Sequence, residues 1–240
     1  MTELQRLAGI VVSPSRTFED INQRPTQVFP IALLLLFNLL GDFVVYQVFI
    51  TEANFEQMAR TKVQWDASLA SPQKSHGTEE QQIGTLRRER EYWYLLPLIA
   101  VPVSVLALSI FFYIVLRMAR AGATFAKVLV VVCWALVIYR CIGGVFTIVA
   151  LLAGGPANFF PGPAEAWSPT SLAQLISRSS VSPSVYSALS KLDIFLVWWL
   201  AVLAVGFSKI SKDLSLAKSA ALVIACEVLY LLVNASGLPR

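Results

Sequence analysis

Histidine is almost missing from this chain. The single one, His76, lies among Lys74, Ser75 and Gly77 with no partner at metal-ligand spacing, and reads as a solvated loop residue. No HExxH, GxSxG, P-loop or CxxC occurs. One histidine and no spaced Cys/His cluster argue against a zinc enzyme, and no Ser/His/Asp set can be assembled at one depth. The expectation is no metal, no cofactor and no enzymatic activity. Cysteine is scarce as well: Cys133, Cys141 and Cys226 all fall inside apolar runs. The first two are eight residues apart, roughly 12 Å along a helix, too far to bridge. They read as small packing residues.

Charge is the larger deficit. Only 14% of the 240 residues are charged, against about 25% in a soluble domain. Hydrophobic residues make up 56%, and the mean hydropathy is +0.65. So little polar surface excludes a water-bounded globule and implies an integral membrane protein. The net charge of +4 sits in short basic clusters beside apolar runs, which suits anionic headgroups better than nucleic acid. The expected partners are the lipid bilayer and a membrane protein or a second copy of the chain, with no nucleic acid.

What the chain does have is long apolar runs. A membrane span needs about 20 apolar residues, and five runs qualify: 28–50, 93–116, 125–153, 192–207 and 217–234. A backbone in lipid must satisfy its own hydrogen bonds, so all five are read as helices. The fourth is short, but Ser182 as N-cap and Pro183 as first helical residue predict a helix that starts outside the lipid and leads into it. The first run begins too late for a cleavable signal peptide, so it reads as a retained signal anchor.

Lysine and arginine set the orientation. Arg6, Arg16, Arg24, Arg117, Arg120, Lys127, Lys209, Lys212 and Lys218 fall on one side, in three short segments. The other side carries as many, but most of them share one long loop. Density then places the N-terminus in the cytosol and the C-terminus outside, in the plasma (inner) membrane.

Residues 1–27 form a cytosolic interfacial segment rather than a sixth span. Leu4, Leu7, Ile10 and Val11 lie at helical spacing, Pro14 restarts a helix that carries Phe18 and Ile21, and Pro25 closes it. Such short helices suit the headgroup zone; packing against the cytosolic ends of the bundle is the alternative. The loop between spans 1 and 2 has two helical patterns around "ASPQKSHG", the second opened by Thr78 and Gln81 at capping-box spacing. This predicts an extracytosolic helical hairpin. The later loop "GGPANFFPGPAEAWSPT" has aromatics suited to the outer interface. The glycines of "GGVFTIVALLAGG" lie within or at the end of a span and allow close helix contact.

Three charged residues stand near the centres of the first, third and fifth runs: Asp42, Arg140 and Glu227. An arginine at a helix centre costs about 2.5–3.5 kcal/mol on the mildest insertion scale. The three centres share a depth within roughly 3 Å, so Asp42 and Glu227 are the expected partners of Arg140. The cluster is either a structural ion group that fixes helix rotation or a proton or ion site.

"LAGIVVSPSRTFEDINQRPTQVFP" leads into the first span, and "LDIFLVWWLAVLAVGFSKISKDLSLAKSAALVI" covers the fourth and fifth. With five spans, these stretches resemble the Yip1-domain family of small polytopic membrane proteins, in its bacterial-looking branch. The shared features are a Pro-x-x-x-Phe segment before the first span and a Leu-Asp-x-Phe-x-x-Trp entry to the fourth; "TFAKVLVVVCWAL" matches less specifically. The resemblance implies one Yip1-like membrane domain over 1–240 with a cytosolic N-terminus. Eukaryotic relatives are associated with vesicle traffic, Rab-type GTPases and other Yip1-type partners; their "DLYGP" element is absent here. The expected function is a non-enzymatic membrane scaffold or partner-recruiting, trafficking-like factor. The alternative is a transporter or channel for a small ion or lipid that uses the midplane charges.

Overall fold

The computed structural model describes residues 1–48, 55–56, 59–60, 63–64, 78–90, 92, 95–154, 169–177 and 180–235. Every regular element among them is helical: α1 Glu3–Val12, α2 Pro14–Gln23, α3 Val28–Val48, α4 Glu79–Arg90, α5 Pro97–Met118 and α6 Phe125–Leu136. A π-helical turn, Val137–Ile142, joins α6 to α7 Gly143–Gly154; a 3-10 turn at Leu172–Leu175 is followed by α8 Pro183–Lys191, α9 Ile194–Ile210 and α10 Leu216–Ala235.

Local chemistry explains the starts. Thr2 and Gln5 cap α1 reciprocally, Thr2 N–H donating to Gln5 Oε1 at 2.8 Å and Gln5 N–H to Thr2 Oγ1 at 3.3 Å. Thr78 and Gln81 repeat this at α4, at 3.1 and 3.3 Å. Ser182 caps α8 by accepting from Val185 N–H, with Pro183 in the first turn. That helix does not run on into the fourth apolar run. Leu192 is extended, and Asp193 stands just before α9, a residue type favoured at helix N-caps, so the chain restarts there.

Among the described residues, three stretches are long and apolar enough to cross a membrane: Val28–Val45, Pro97–Met118 and Phe125–Ala150. The pair broken before Ile194 makes four if it counts as one span. The three differ in burial. The first two have 11% and 22% of their residues buried, the third 67%. In the third the burial falls on α6, which is packed on most sides within its unit, whereas α7 exposes Val145, Phe146 and Val149; the first two stretches give much of their surface to lipid. On α5, Ile99, Val103, Leu106, Ile110 and Ile114 are exposed at helical spacing. Leaving these part-exposed side chains in water would forgo roughly half of the about 1.5–3 kcal/mol that full burial of each supplies, and acyl chains remove that cost.

The contacts divide the chain into two compact units. The first comprises Met1–Asn38, Pro97–Gly143 and Phe195–Val228. Its core is built on α6, where Val130 through Ala135 are 0% exposed. Phe112 of α5 and Phe207 of α9 meet at a centroid distance of 5.2 Å, and Phe29 lies 5.9 Å from Trp134. The second comprises Leu39–Leu96, Gly144–Ile194 and Leu229–Arg240. In it, Phe55 and Ala59 are buried against Val45, Ile83 and Leu86, and Arg60 bridges Glu56 and Glu79 at 2.9 and 3.0 Å. That hydrogen bond to Arg60 holds Glu56 below the usual carboxylate range. The turn "ASPQKSHG", with His76, and most of "GGPANFFPGPAEAWSPT" lie outside the described residues. Nearer the later loop's end, Ala173 and Tyr186 pack with Val181 and Leu189, and Leu172 N–H donates to Leu192 O at 2.9 Å.

Candidate functional site

The most fully built polar site is in the N-terminal helix pair. Ser13 ends α1, its N–H reaching Gly9 O at 2.7 Å, and Pro14 opens α2 with a fixed φ suited to a first turn. The two helices meet at Gly9, where an added Cβ would run into the side chain of Thr17. Thr17 is fully buried, and its hydroxyl donates to Ser13 O at 3.0 Å.

Arg6 ties this pair together from inside. It is 2% exposed. Its Nε donates to Asp20 Oδ2 at 2.8 Å, and Nη1 donates to Glu3 Oε1 at 3.1 Å and Thr26 Oγ1 at 2.7 Å. The Thr26 hydroxyl in turn donates to Glu3 Oε1 at 2.7 Å. One guanidinium thus joins α1, α2 and the linker to α3, and these partners offset the cost of taking its charge out of water. The Met1 ammonium reaches Asp20 at 2.9 Å. Hydrogen bonds from that ammonium and from Arg6, with their charges, hold the Asp20 carboxyl below its ordinary value against the opposing effect of desolvation.

α2 is in turn clamped to the bundle. Phe18 is 0% exposed and lies over Gly206 of α9, where a Cβ would come within 3.1 Å of its ring and 2.5 Å of Val131. An added methyl would therefore force Val131 to shift and crowd the aromatic ring. Asn22 Nδ2 donates to Lys209 O at 3.0 Å, and Lys209 Nζ pairs with Glu19 at 2.6 Å.

The six residues expected at the interface separate by exposure. Ile10 and Phe18 are fully buried, Leu7, Val11 and Pro14 half-buried, and Leu4 is 71% exposed. Val12, which the helical-spacing argument passed over, is 83% exposed, and Ala8 is exposed between it and Leu4. Leu4, Ala8 and Val12 recur every four residues and form one outward apolar stripe. Arg6 was also missed as a site residue. Glu3 three positions before it was a local hint, but Asp20 is fourteen positions away and only the fold brings it in.

Of the three midplane charges, Asp42 is half-buried on α3, Arg140 is exposed on the π turn and Glu227 is half-buried on α10. Asp42 belongs to the second unit, Arg140 and Glu227 to the first. The π turn itself was not expected. Such turns insert one extra residue per helical turn and recur at functional positions. Gly143 follows it, so close to Phe195 that a Cβ would meet the ring at 3.1 Å. Cys133 and Cys141 are free and buried; Cys226, next to Glu227, is free and half-buried.

Long apolar helices with outward apolar faces, and a polar network at the N-terminal helix pair, define a polytopic helical membrane protein. The Yip1 domain family matches residues 8–237. The chain belongs to that family, as the segments around the first, fourth and fifth runs led us to expect. No curated protein and no solved structure matches it.

Proposed function

We propose that the protein is a non-enzymatic membrane scaffold that recruits partners to the bilayer surface. The observation that carries this reading is the N-terminal helix pair, locked to the bundle by Phe18, Asn22 and Lys209 while Leu4, Ala8 and Val12 face outward. A rigidly mounted apolar stripe suits the headgroup zone or a partner helix. The general link of the family to membrane trafficking agrees with it. In this reading the chain is one membrane domain with five spans. α10 has 20 residues, about 30 Å and so long enough to cross. The N-terminus is cytosolic, the C-terminus extracytosolic and the membrane the plasma membrane. The loop between spans 1 and 2 is an extracytosolic helical hairpin in this reading, which the packing of Phe55 and Ala59 on Ile83 and Leu86 supports.

The second reading, a transporter or channel, draws on Asp42, Arg140 and Glu227 within apolar helices and on the π turn under Arg140. Purified protein in proteoliposomes separates the two. Substrate-dependent flux supports transport; unchanged flux together with a stable co-purifying partner, lost on deleting 2–16, supports the scaffold. A cysteine at Leu7 that reacts with an impermeant reagent added outside intact cells refutes the orientation.

A further inference from the structure

Consecutive helices α9 and α10 are joined by the short turn 211–215, and a cavity of about 650 Å³ opens against it. Four lysines contribute to its wall: Lys127 from the first turn of α6, Lys209 from the end of α9, Lys212 from the turn and Lys218 from the first turn of α10. Among the described residues Asp213 is the one carboxylate on the wall, and a Cβ added at Gly122 would lie 3.3 Å from its Oδ2. Glu19 takes up Lys209. Lys127, Lys212 and Lys218 form no ion pair among the described residues. The positive-inside bias alone would put lysines on a turn. It does not gather them around a cavity with three of them unneutralised.

The hydroxyls add acceptor-seeking protons. Ser211, 4% exposed, accepts from Asp213 N–H at 3.3 Å, and Ser215 accepts from Lys218 N–H at 3.3 Å. Each keeps its own O–H for a further acceptor. The N-terminal end of α10 lies at the same wall, and its dipole favours an anion. A smaller cavity of about 290 Å³ shares Lys209 and Ser215. Where two spans meet at a short turn the chain leaves the hydrocarbon, which is the depth of lipid phosphates.

We propose that this cleft binds a phosphate group, carried by an anionic phospholipid headgroup or by a soluble phosphate. Lys212 and Lys218 supply charge-assisted hydrogen bonds from opposite ends of the turn, Lys127 closes the third side, and the serine hydroxyls complete the shell. The proposal goes beyond the scaffold reading and does not rest on it.

The test uses the full chain in uncharged maltoside micelles. Heat of binding is measured for inorganic phosphate, with sodium chloride at matched ionic strength as reference. In parallel, micelles are doped with phosphatidylglycerol or with phosphatidylcholine. The variant is Lys212→Gln with Lys218→Gln, both exposed, so folding is expected to survive; thermal unfolding checks that. Arg87→Gln with Arg88→Gln removes the same charge elsewhere. The cleft variant should weaken binding by about tenfold per lysine, the weight of one charge-assisted contact, and the control variant should not. Binding of phosphatidylglycerol but not phosphate assigns a lipid headgroup. Binding of phosphate alone assigns a soluble ligand. Neither probe binding above its reference, or equal losses in both variants, overturns the proposal.

Discussion

Replacing Phe18 by alanine should release the N-terminal helix pair while leaving the spans folded. The ring is 0% exposed, and truncating a buried phenylalanine costs about 3–5 kcal/mol. At about 1.4 kcal/mol per tenfold, the open population of α2 should rise by roughly two to three and a half decades. Besides the smaller buried side chain of Ile21, what remains is the Asn22–Lys209 hydrogen bond and the Glu19–Lys209 pair at the water-facing end, worth only about 1 kcal/mol each. Amide exchange at residues 19–23 reads the opening, and exchange within 128–136 reports on the buried α6. Gly206→Ala tests the same contact from the other side. Alone it overpacks against Val131 and Phe18, at about 1–3 kcal/mol. In the double variant the Phe18 clash is gone and only Val131 must shift, so the two costs should fall short of additive. If exchange at 19–23 changes by less than about tenfold, or α6 loses protection equally, the clamp is not what holds the pair.

Other perturbations reach the charges and the backbone. The depressed Asp20 carboxyl stabilises the helix pair fully above its unfolded value of 3.8; that contribution fades as pH falls through the lower folded value. Exchange at 3–12 should therefore rise only below about pH 4, and in Arg6→Leu that rise should begin at a higher pH; an identical acid limb in both proteins removes Arg6 from the explanation. Arg140→Leu should lower the yield of folded protein by depriving Asp42 and Glu227 of their proposed partner. Adding Asp42→Asn and Glu227→Gln should restore much of it if the cluster is structural, whereas a folded triple variant without flux or pH response marks an ion site. Arg120 sits at φ 58, a left-handed conformation that costs a non-glycine residue about 1–2 kcal/mol. Arg120→Gly should raise thermal stability modestly, and a drop would show that the side chain does more than end α5.

Much of the fold was legible because it depends on neighbours in sequence. Lipid demands internally bonded, apolar stretches of a set length, so the runs at 28–50 and 125–153 announced helices without any knowledge of packing. The caps at Thr78 and Ser182 were legible for the same reason: each is a side chain bonded to a backbone group three residues on. Tertiary structure decided what depends on which face meets what. It made α6 the buried core of its unit and left much of α5 facing outward, a distinction hydropathy cannot draw between runs of similar apolarity. It broke the chain at Leu192, put a π turn under Arg140, buried Arg6 beside an aspartate fourteen residues away and turned Val12 rather than Ile10 outward. It also gathered Lys127 with three lysines more than eighty residues further on. Coulombic and packing terms act through space, and a linear pattern carries only the part of them that local geometry keeps within one helical turn.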